Sequence, residues 1–209
     1  MAGFFVTFEG GEGTGKSTQL KLLAETLQAR GMTVVQTREP GGTPEAEALR
    51  SLLVNGDPGR WTVEAEALLN YAARSSHLKK VIRPALEAGY TVLCDRFSDS
   101  TRAYQGYAGG CDLALLNSLE AAITGSTRPD LTFIFDIDPV IGLARARSRG
   151  DGSEDRYERK GLAFHEKLRD GFLKIAAAEP ERCGIVDASG SIEDVKARIA
   201  VAAEHLFNG

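Results

Sequence analysis

Residues 10–17 have the types and spacing of a phosphate-binding loop, because they fit the pattern GxxxxGK[ST] in full. Glycines let the main chain curl so that its N–H groups face phosphate oxygens, and a helix that starts there adds the positive end of its dipole. In such a loop Lys16 bridges the β- and γ-phosphates, and the Ser17 hydroxyl ligates Mg²⁺. The sequence therefore predicts bound ATP, held by Gly10, Gly11, Glu12, Gly13, Thr14, Gly15, Lys16, Ser17 and Thr18.

The loop alone does not distinguish a kinase from a GTPase or a motor ATPase. A GTPase usually carries an NKxD motif, which this sequence lacks, and its one DxxG match, Asp187 to Gly190, leaves too little chain for a guanine site. A motor ATPase needs more than 209 residues. A small kinase is the interpretation that remains, and a regulatory module that binds nucleotide without turnover stays open as the alternative.

A carboxylate and a guanidinium follow the predicted third strand. Asp95 ends that strand facing the phosphates, so we predict that it holds Mg²⁺ together with Ser17, directly or through water. The fork of the Arg96 side chain suits bidentate contact with an acceptor phosphate. Lys16 and Arg96 are therefore predicted catalytic residues.

Three further segments accompany the phosphate loop. They are TREPGGT (37–43), YAAR (71–74) and CDRFSDSTRAYQG (94–106), and the last contains DRxxxSxxAYQ. With these motifs in this order, the chain resembles bacterial thymidylate kinases from Phe5 to about Val195. The resemblance implies Mg²⁺-dependent transfer from ATP to dTMP, giving dTDP, and a homodimer. A kinase for a different nucleoside monophosphate is the alternative.

The resemblance also implies roles on the acceptor side of the reaction. Arg74 matches an arginine that contacts the thymine ring, Glu12 faces the sugar, and a ring at Tyr104 beside the sugar would exclude a 2′-hydroxyl. The predicted substrate-binding residues are Glu12, Arg38, Glu39, Arg50, Asn70, Tyr71, Arg74, Arg96, Ser100, Thr101, Tyr104 and Gln105.

One position departs from the pattern of the family. Phenylalanine usually stands where this chain has Asn70, and it stacks on the thymine. Tyr71 follows directly, but neighbours on a helix point about 100° apart, so it cannot take over the stacking without a shift. Either the base is held differently or another ring takes over.

Phosphoryl transfer needs a further positive charge, and this phosphate loop contains no arginine. The bacterial branch of the family supplies the arginine from a lid. We predict a mobile lid at about residues 145–160, with Arg156 as the first candidate for a catalytic arginine and Arg149 as the second. The histidines, His77, His165 and His205, fit surface or helix positions and receive no role.

These residues require elements that bring the ends of several strands together. Alternating strand-like and helix-like segments predict a P-loop nucleoside-monophosphate-kinase fold of the α/β class, a single domain over residues 1–209 with a five-stranded parallel sheet flanked by helices. The predicted strands are 4–8, 33–37, 91–94, 131–137 and 184–186. The predicted helices are 16–30, 43–54, 63–88 with a kink or break at Pro84, 113–124, 139–149, 162–178 and 192–206.

Composition narrows the class of protein. A net charge of −4 argues against a nucleic-acid-binding protein, and no stretch reaches the ~20 apolar residues of a membrane span. The amino-terminal residues lack the basic segment of a signal peptide, so we expect none. The three cysteines are too few and scattered for a disulfide framework or a CxxC metal site. We therefore expect reduced thiols, a cytoplasmic location and no membrane partner.

Overall fold

The computed structural model describes residues 3–148 and 155–207, and its centre is one sheet of parallel strands in the order β2-β3-β1-β4-β5. The strands are β1 (Phe5–Gly10), β2 (Val34–Arg38), β3 (Thr91–Asp95), β4 (Leu131–Asp136) and β5 (Cys183–Asp187). The predicted five-stranded parallel sheet is confirmed, and the strand ends differ from the predicted ones by at most two residues.

Helices cover both faces of this sheet. They are α1 (Lys16–Ala29), α2 (Pro44–Val54), α3 (Val63–His77), α4 (Arg83–Glu87), α5 (Ser98–Thr101), α6 (Leu113–Ile123), α7 (Pro139–Ser148), α8 (Leu162–Ala178) and α9 (Ile192–Phe207), with π-helical segments at Leu78–Ile82 and Arg102–Ala108. Among the helices of these described ranges, none is long and apolar enough to cross a membrane.

The apolar core explains why β1 is central. Every residue of β1 is buried, because helices pack on both sides of it. Val6 and Phe8 pack towards α1 and α9, whereas Phe5 packs with Leu78 and Ile82 on the opposite face. Alternate side chains of one strand therefore join two layers of helices, as a central parallel strand requires.

The strand register places the predicted site at one edge of the sheet. Phe8 of β1 lies opposite Asp95 of β3, and Gly10 lies opposite Phe135 of β4. The phosphate loop that follows β1 therefore begins beside Asp95 and Arg96. Ligands of open α/β sheets bind outside the carboxyl ends of the strands, where these loops meet.

The long helix predicted over residues 63–88 is present as three consecutive helical segments that continue one another, and the middle segment is π-helical. A π-helical segment, Leu78–Ile82, joins α3 to α4, and the N–H of Arg83 bonds to the carbonyl of Leu78. Pro84 has no N–H and its ring crowds the carbonyl four residues earlier. The wider π turn directly before Pro84 lets the helical path continue to Glu87.

One segment differs from the sequence expectation, and a second lies partly outside the described residues. Residues 98–108, for which no helix was predicted, form α5 and the π-helical segment Arg102–Ala108. Of the lid predicted at 145–160, residues 149–154 lie outside the described residues. Residues 156–159 form turns, and Arg156 within them is fully buried. The mobile lid stays a prediction.

Candidate active site

The phosphate loop connects the central strand to α1 through glycines with positive φ. Gly13 has φ of 67°, and a Cβ built there would lie 1.9 Å from the carbonyl oxygen of Gly142 in α7. A side chain at this position would push α7 away from the loop. Gly15 has φ of 89° and is the N-cap residue directly before α1, so the first free N–H groups of the helix lie at the loop. The curl needed for a phosphate cradle is therefore built into the chain.

Lys16 is buried beneath this curl. Its ammonium donates to the carbonyl oxygens of Gly11 at 2.7 Å and Gly10 at 3.2 Å, and to the Thr14 hydroxyl at 3.2 Å. Burial and the nearby Arg96 lower the pKa of Lys16 to about 8, although acidic neighbours act in the opposite direction. A polyphosphate in the loop would add negative charge and favour the charged ammonium.

Ser17 and Asp95 supply the oxygen ligands that a magnesium ion prefers. The Ser17 hydroxyl donates a short hydrogen bond to the Asp95 carboxylate, so α1 and β3 meet at this point. Mg²⁺ is usually bound by one or two protein oxygens together with phosphates and water. This pair fits that pattern, and it is not a cage made entirely of protein groups.

Arg96 turns sharply after β3 to reach the end of β1. Its φ is 69°, a left-handed conformation that costs a non-glycine residue about 1–3 kcal/mol. The turn lets the guanidinium donate to the Gly10 carbonyl at 2.8 Å, the Ser100 hydroxyl at 3.2 Å and Glu12 at 3.0 Å. Burial opposes the charge, but Tyr104, Glu12 and Asp95 raise the pKa of Arg96 above its usual value.

Glu12 is held by Arg96 and Tyr104. The same carboxylate oxygen accepts from Arg96 and, at 2.6 Å, from the Tyr104 hydroxyl. Burial alone would raise the pKa of Glu12. The charges of Arg96 and Lys16 and the Tyr104 hydrogen bond outweigh burial and lower the pKa to about 2. The carboxylate is therefore ionised at neutral pH.

Two adjoining clefts meet at these residues. The loop cleft, of about 580 Å³, is lined by Arg38, Asp95 and the phosphate loop from Glu12 to Ser17. The helix cleft, of about 680 Å³, lies between α2, α3 and residues 96–105. Both clefts share a wall formed by Glu12, Glu39, Arg50 and Arg96. A group bound in one cleft therefore faces a group bound in the other.

Most predicted substrate-binding residues line the helix cleft. These are Glu12, Glu39, Arg50, Asn70, Arg74, Arg96, Ser100, Thr101, Tyr104 and Gln105. The cleft also contains residues that the sequence interpretation missed: Pro40, Leu53, Val54, Phe97, Tyr157 and Glu158. Two predicted residues lie elsewhere. Tyr71 bonds to Glu120 and to the Leu116 carbonyl of α6, and Arg38 lines the loop cleft, half-exposed and paired with Glu47.

Arg74 is fixed at the floor of the helix cleft. Its Nε donates to Glu39 at 2.8 Å and its Nη2 donates to the Thr101 hydroxyl at 3.0 Å. The third nitrogen, Nη1, is buried and has no partner among the described residues. A buried donor without an acceptor is costly, so this nitrogen suits a carbonyl oxygen of a ligand in the cleft.

His77 is the last residue of α3, so the helix position expected for it is confirmed, but it is completely buried and supports this floor, although the sequence assigned it no role. Its Nδ1 lies 2.9 Å from Glu39 and its Nε2 lies 2.6 Å from the Thr37 hydroxyl. A carboxylate only accepts, so Nδ1 carries the proton and donates. His77 thus connects β2 to the carboxylate that holds Arg74.

Comparison with known sequences decides the family. The profile described as "Thymidylate kinase" matches residues 8–199 of this chain.

The chain belongs to the thymidylate kinase family.

Similar proteins cover almost the whole chain. The thymidylate kinase of Caulobacter vibrioides is 54% identical over 198 residues, covering 95% of this chain and 94% of that protein. The thymidylate kinase of Nitrobacter winogradskyi is 50% identical and covers 96% of this chain and 87% of its own. A crystal structure of the Ehrlichia chaffeensis thymidylate kinase has a TM-score of 0.79 at 34% identity, over 97% of this chain and 99% of that chain.

Of the two arginines predicted to complete the site, the structure describes Arg156, which does not contact the phosphate loop. Arg149 lies outside the described residues. Arg156 is fully buried, pairs with Glu66 at 2.5 Å, and donates to the carbonyls of Leu53, Asp57 and Pro58 at 2.9–3.0 Å. Arg156 would have to leave these partners to reach ATP, so both catalytic roles stay predictions.

Glu9 and Glu66 were also missed from the sequence, although both lie beside the thymidylate kinase site. Glu9 accepts from the Phe97 N–H at 2.7 Å and the Ser100 hydroxyl at 2.5 Å, and thereby holds the segment that carries Arg96. Glutamate directly before the first glycine was the available signal for Glu9. Glu66 is, in the sequence, a single charged residue on a predicted helix, and no pattern of neighbouring residues predicts that it is buried.

Proposed function

We propose that this protein transfers the γ-phosphoryl group of ATP to dTMP, giving ADP and dTDP, with Mg²⁺ as cofactor. Membership of the thymidylate kinase family gives the reaction class and the two substrates. The observation that supports this assignment of sites is the wall of Glu12 and Arg96 shared by both clefts, because a group held by the phosphate loop would face a group held in the helix cleft. ATP occupies the loop cleft and dTMP the helix cleft.

Positioning and charge provide the catalysis in this arrangement. The acceptor phosphate carries most of its second negative charge at pH 7 and needs no general base. One of its oxygens attacks the γ-phosphorus in line, and the bond between that phosphorus and the leaving oxygen of ADP breaks. Lys16 holds the β- and γ-phosphates and Arg96 holds the acceptor phosphate, so both lower the repulsion between the two anions.

Magnesium would lie at Ser17 and Asp95 and would neutralise charge on the bridging phosphate oxygens. The Ser17 hydroxyl and the Asp95 carboxylate, which contact each other, would be its protein ligands. An arginine from residues 145–160 would add to the charge of Lys16 and Arg96. Arg149 and Arg156 are the two candidates.

The helix cleft fits a thymine nucleotide. The unpartnered Nη1 of Arg74 is a donor for a ring carbonyl, and Gln105 supplies an amide at the same cleft. Tyr104 packs against Arg96, with the guanidinium 5.0 Å from its ring, and its hydroxyl bonds to Glu12. A ring held beside the sugar in this way leaves no room for a 2′-hydroxyl, which favours deoxyribose.

A coupled assay of ADP release tests the proposal across dTMP, dUMP, CMP, UMP, AMP and GMP. We expect dTMP to have the highest kcat/KM, with dUMP weaker, because one methyl group in a pocket contributes about 1–3 kcal/mol. A preference for another nucleotide would overturn the assignment to dTMP, and Asn70 in place of phenylalanine is the feature that would then explain it. Binding of ATP and dTMP without formation of dTDP would instead favour a regulatory module.

We also propose that the protein is a homodimer in the cytoplasm. Leu68 of α3 and Leu113 and Leu115 of α6 are exposed leucines on two helices that pack together, and a second copy would cover them. The buried cysteines carry free thiols, as expected in a reducing compartment. Light scattering on the purified protein tests the dimer, and a monomeric mass would exclude it. Fractionation of cells tests the cytoplasmic location.

A further inference from the structure

Glu66 of α3 is a buried carboxylate beside the helix cleft that lies outside the predicted site. It is 1% exposed and lies one turn before Asn70. Its Oε1 accepts from Arg156 at 2.5 Å, and its Oε2 accepts from the Gln105 amide nitrogen at 2.8 Å and the Tyr157 hydroxyl at 3.2 Å. Both oxygens are therefore occupied by donors, and the Arg156 guanidinium compensates the charge.

This arrangement fixes the orientation of the Gln105 amide. A carboxylate only accepts hydrogen bonds, so the nitrogen of Gln105 must face Glu66. The Tyr157 hydroxyl donates to Glu66, and its oxygen is then free to accept from the same nitrogen of Gln105 at 3.3 Å. Both amide hydrogens are engaged in this way. The carbonyl oxygen is the part of the Gln105 amide that remains for a ligand.

The helix cleft consequently offers a fixed pattern to a base. Gln105 and Arg74 both line the cleft, and each has one group without a partner among the described residues, the Gln105 carbonyl oxygen as an acceptor and the Arg74 Nη1 as a donor. A pyrimidine with a protonated N3 beside a carbonyl at C4 matches this pattern at both atoms. A cytosine-type ring has an acceptor at N3 and an amino group at C4, so it opposes the pattern at both.

We propose that Glu66 is the positioning residue that determines base specificity, because it holds the Gln105 amide with its oxygen towards the cleft. This inference rests on the proposed binding of the nucleotide base in the helix cleft. Glu66 acts through Gln105 and touches neither substrate. If Glu66 becomes an amide, it can donate to the oxygen of Gln105, and the Gln105 nitrogen then turns towards the base.

The Glu66→Gln variant tests this with two substrates that differ only in the pattern at N3 and C4, dTMP and 5-methyl-dCMP. We expect the ratio of their kcat/KM values, dTMP over 5-methyl-dCMP, to fall at least about tenfold from the wild-type ratio, mainly through a higher KM for dTMP. The matched control is Glu64→Gln, the same change on an exposed side chain of α3, and its ratio stays at the wild-type value.

A ratio that stays at the wild-type value in folded Glu66→Gln protein would overturn the proposal. The second variant exchanges the two groups, Glu66→Gln with Gln105→Glu, and keeps one carboxylate in the cluster. An oxygen then faces the cleft again, so the preference for dTMP returns to within about threefold of wild type. If the Glu66→Gln variant does not fold, the exchange variant tests the proposal instead. Loss of its preference for dTMP over 5-methyl-dCMP would contradict the proposed role of Glu66. Wild-type turnover of dTMP in the same assay tests the proposed function separately.

Discussion

Two neighbouring carboxyl groups, Glu9 and Glu12, are held in opposite charge states by their surroundings. Glu12 faces Arg96, Lys16 and Tyr104, and its pKa falls to about 2 despite burial. Glu9 lies deeper in the same segment, and burial, together with the charge of Asp99, raises its pKa to about 8. At pH 7 Glu12 is charged and Glu9 is protonated. The negative charge of Glu12 at the cleft is therefore not opposed by a second negative charge on Glu9.

The raised pKa of Glu9 predicts a pH dependence of stability. The folded state keeps the proton up to about pH 8, whereas the unfolded chain releases it near the ordinary value of 4.5. Between these values the folded state binds more protons, so the contribution of Glu9 to the free energy of unfolding falls as the pH rises. Relative to Glu9→Gln, wild type should lose stability from pH 5 to pH 8.5, as measured by urea unfolding.

The comparison needs a control for general effects of pH. Glu64→Gln makes the same chemical change at an exposed site, so wild type and this variant should differ by a similar amount at each pH. A constant difference between wild type and Glu9→Gln over the whole range would show that Glu9 titrates in the folded state as it does in the unfolded chain.

Asn70 gives a second prediction at the scale of one residue. Its side chain lines the helix cleft and bonds to the Glu66 carbonyl at 2.8 Å. Stacking with an aromatic ring contributes about 0.5–1.5 kcal/mol beyond the burial of area. Asn70→Phe should therefore lower the KM for dTMP about 2- to 10-fold while kcat stays similar. Asn70→Leu is the control without a ring, and an equal effect of both changes would argue against stacking.

Motifs made most of the site predictable, but not the residues that support it. Lys16, Asp95 and Arg96 stand in short patterns that end strands, so sequence alone places them at one edge of the sheet. Glu66 and His77 have no such pattern. Their partners lie 38 to 90 positions away in the chain, and their burial depends on packing that local spacing does not encode.

At the scale of elements, the turn after β2 depends on close packing against α3. Gly42 has φ of 84°, and a Cβ there would lie 2.5 Å from the His77 ring and 2.8 Å from the Thr37 hydroxyl. The same turn carries Glu39, which holds Arg74. The shape of the turn, the buried histidine and the floor of the helix cleft therefore form one packed unit.

Gly42→Ala should disturb this unit in both stability and binding. A left-handed alanine costs about 1–2 kcal/mol, and the clash with a buried ring adds to this. We expect a melting temperature at least about 5 °C lower, and a higher KM for dTMP because Arg74 shifts with Glu39. Gly59→Ala is the control, since a Cβ there meets nothing within 4 Å. An unchanged KM would mean that the turn does not position Arg74.

The helical elements were predictable where periodicity is long and apolar. Helix α8 matches its predicted range, 162–178, and the helix path from Val63 was predicted to within one residue of its end. Residues 98–108 were not recognised as helical, because DSTRAYQG mixes polar and small residues without an apolar stripe. These residues are buried by tertiary contacts with α8, so packing overrides local pattern there.

At the scale of the whole molecule, Arg156 connects the segment after residue 154 to the α2–α3 unit. Its guanidinium bonds to three carbonyls of residues 53–58 and to Glu66, and neither side chain of the ion pair is exposed by more than 1%. Removing one partner of a buried pair typically costs about 3–5 kcal/mol. Arg156→Met should therefore lower the melting temperature by roughly 10 °C.

A double-mutant cycle separates this structural role from a catalytic one. Glu66→Leu with Arg156→Met replaces the pair by apolar groups, which is often neutral, so its loss of stability should be smaller than the sum of the single losses. With saturating ATP and dTMP, kcat of Arg156→Met should stay within about tenfold of wild type. A transition-state arginine would instead lose about 10³-fold in kcat, and no change at Glu66 would restore it. Arg149→Ala, measured beside it, then shows whether that arginine supplies the missing charge.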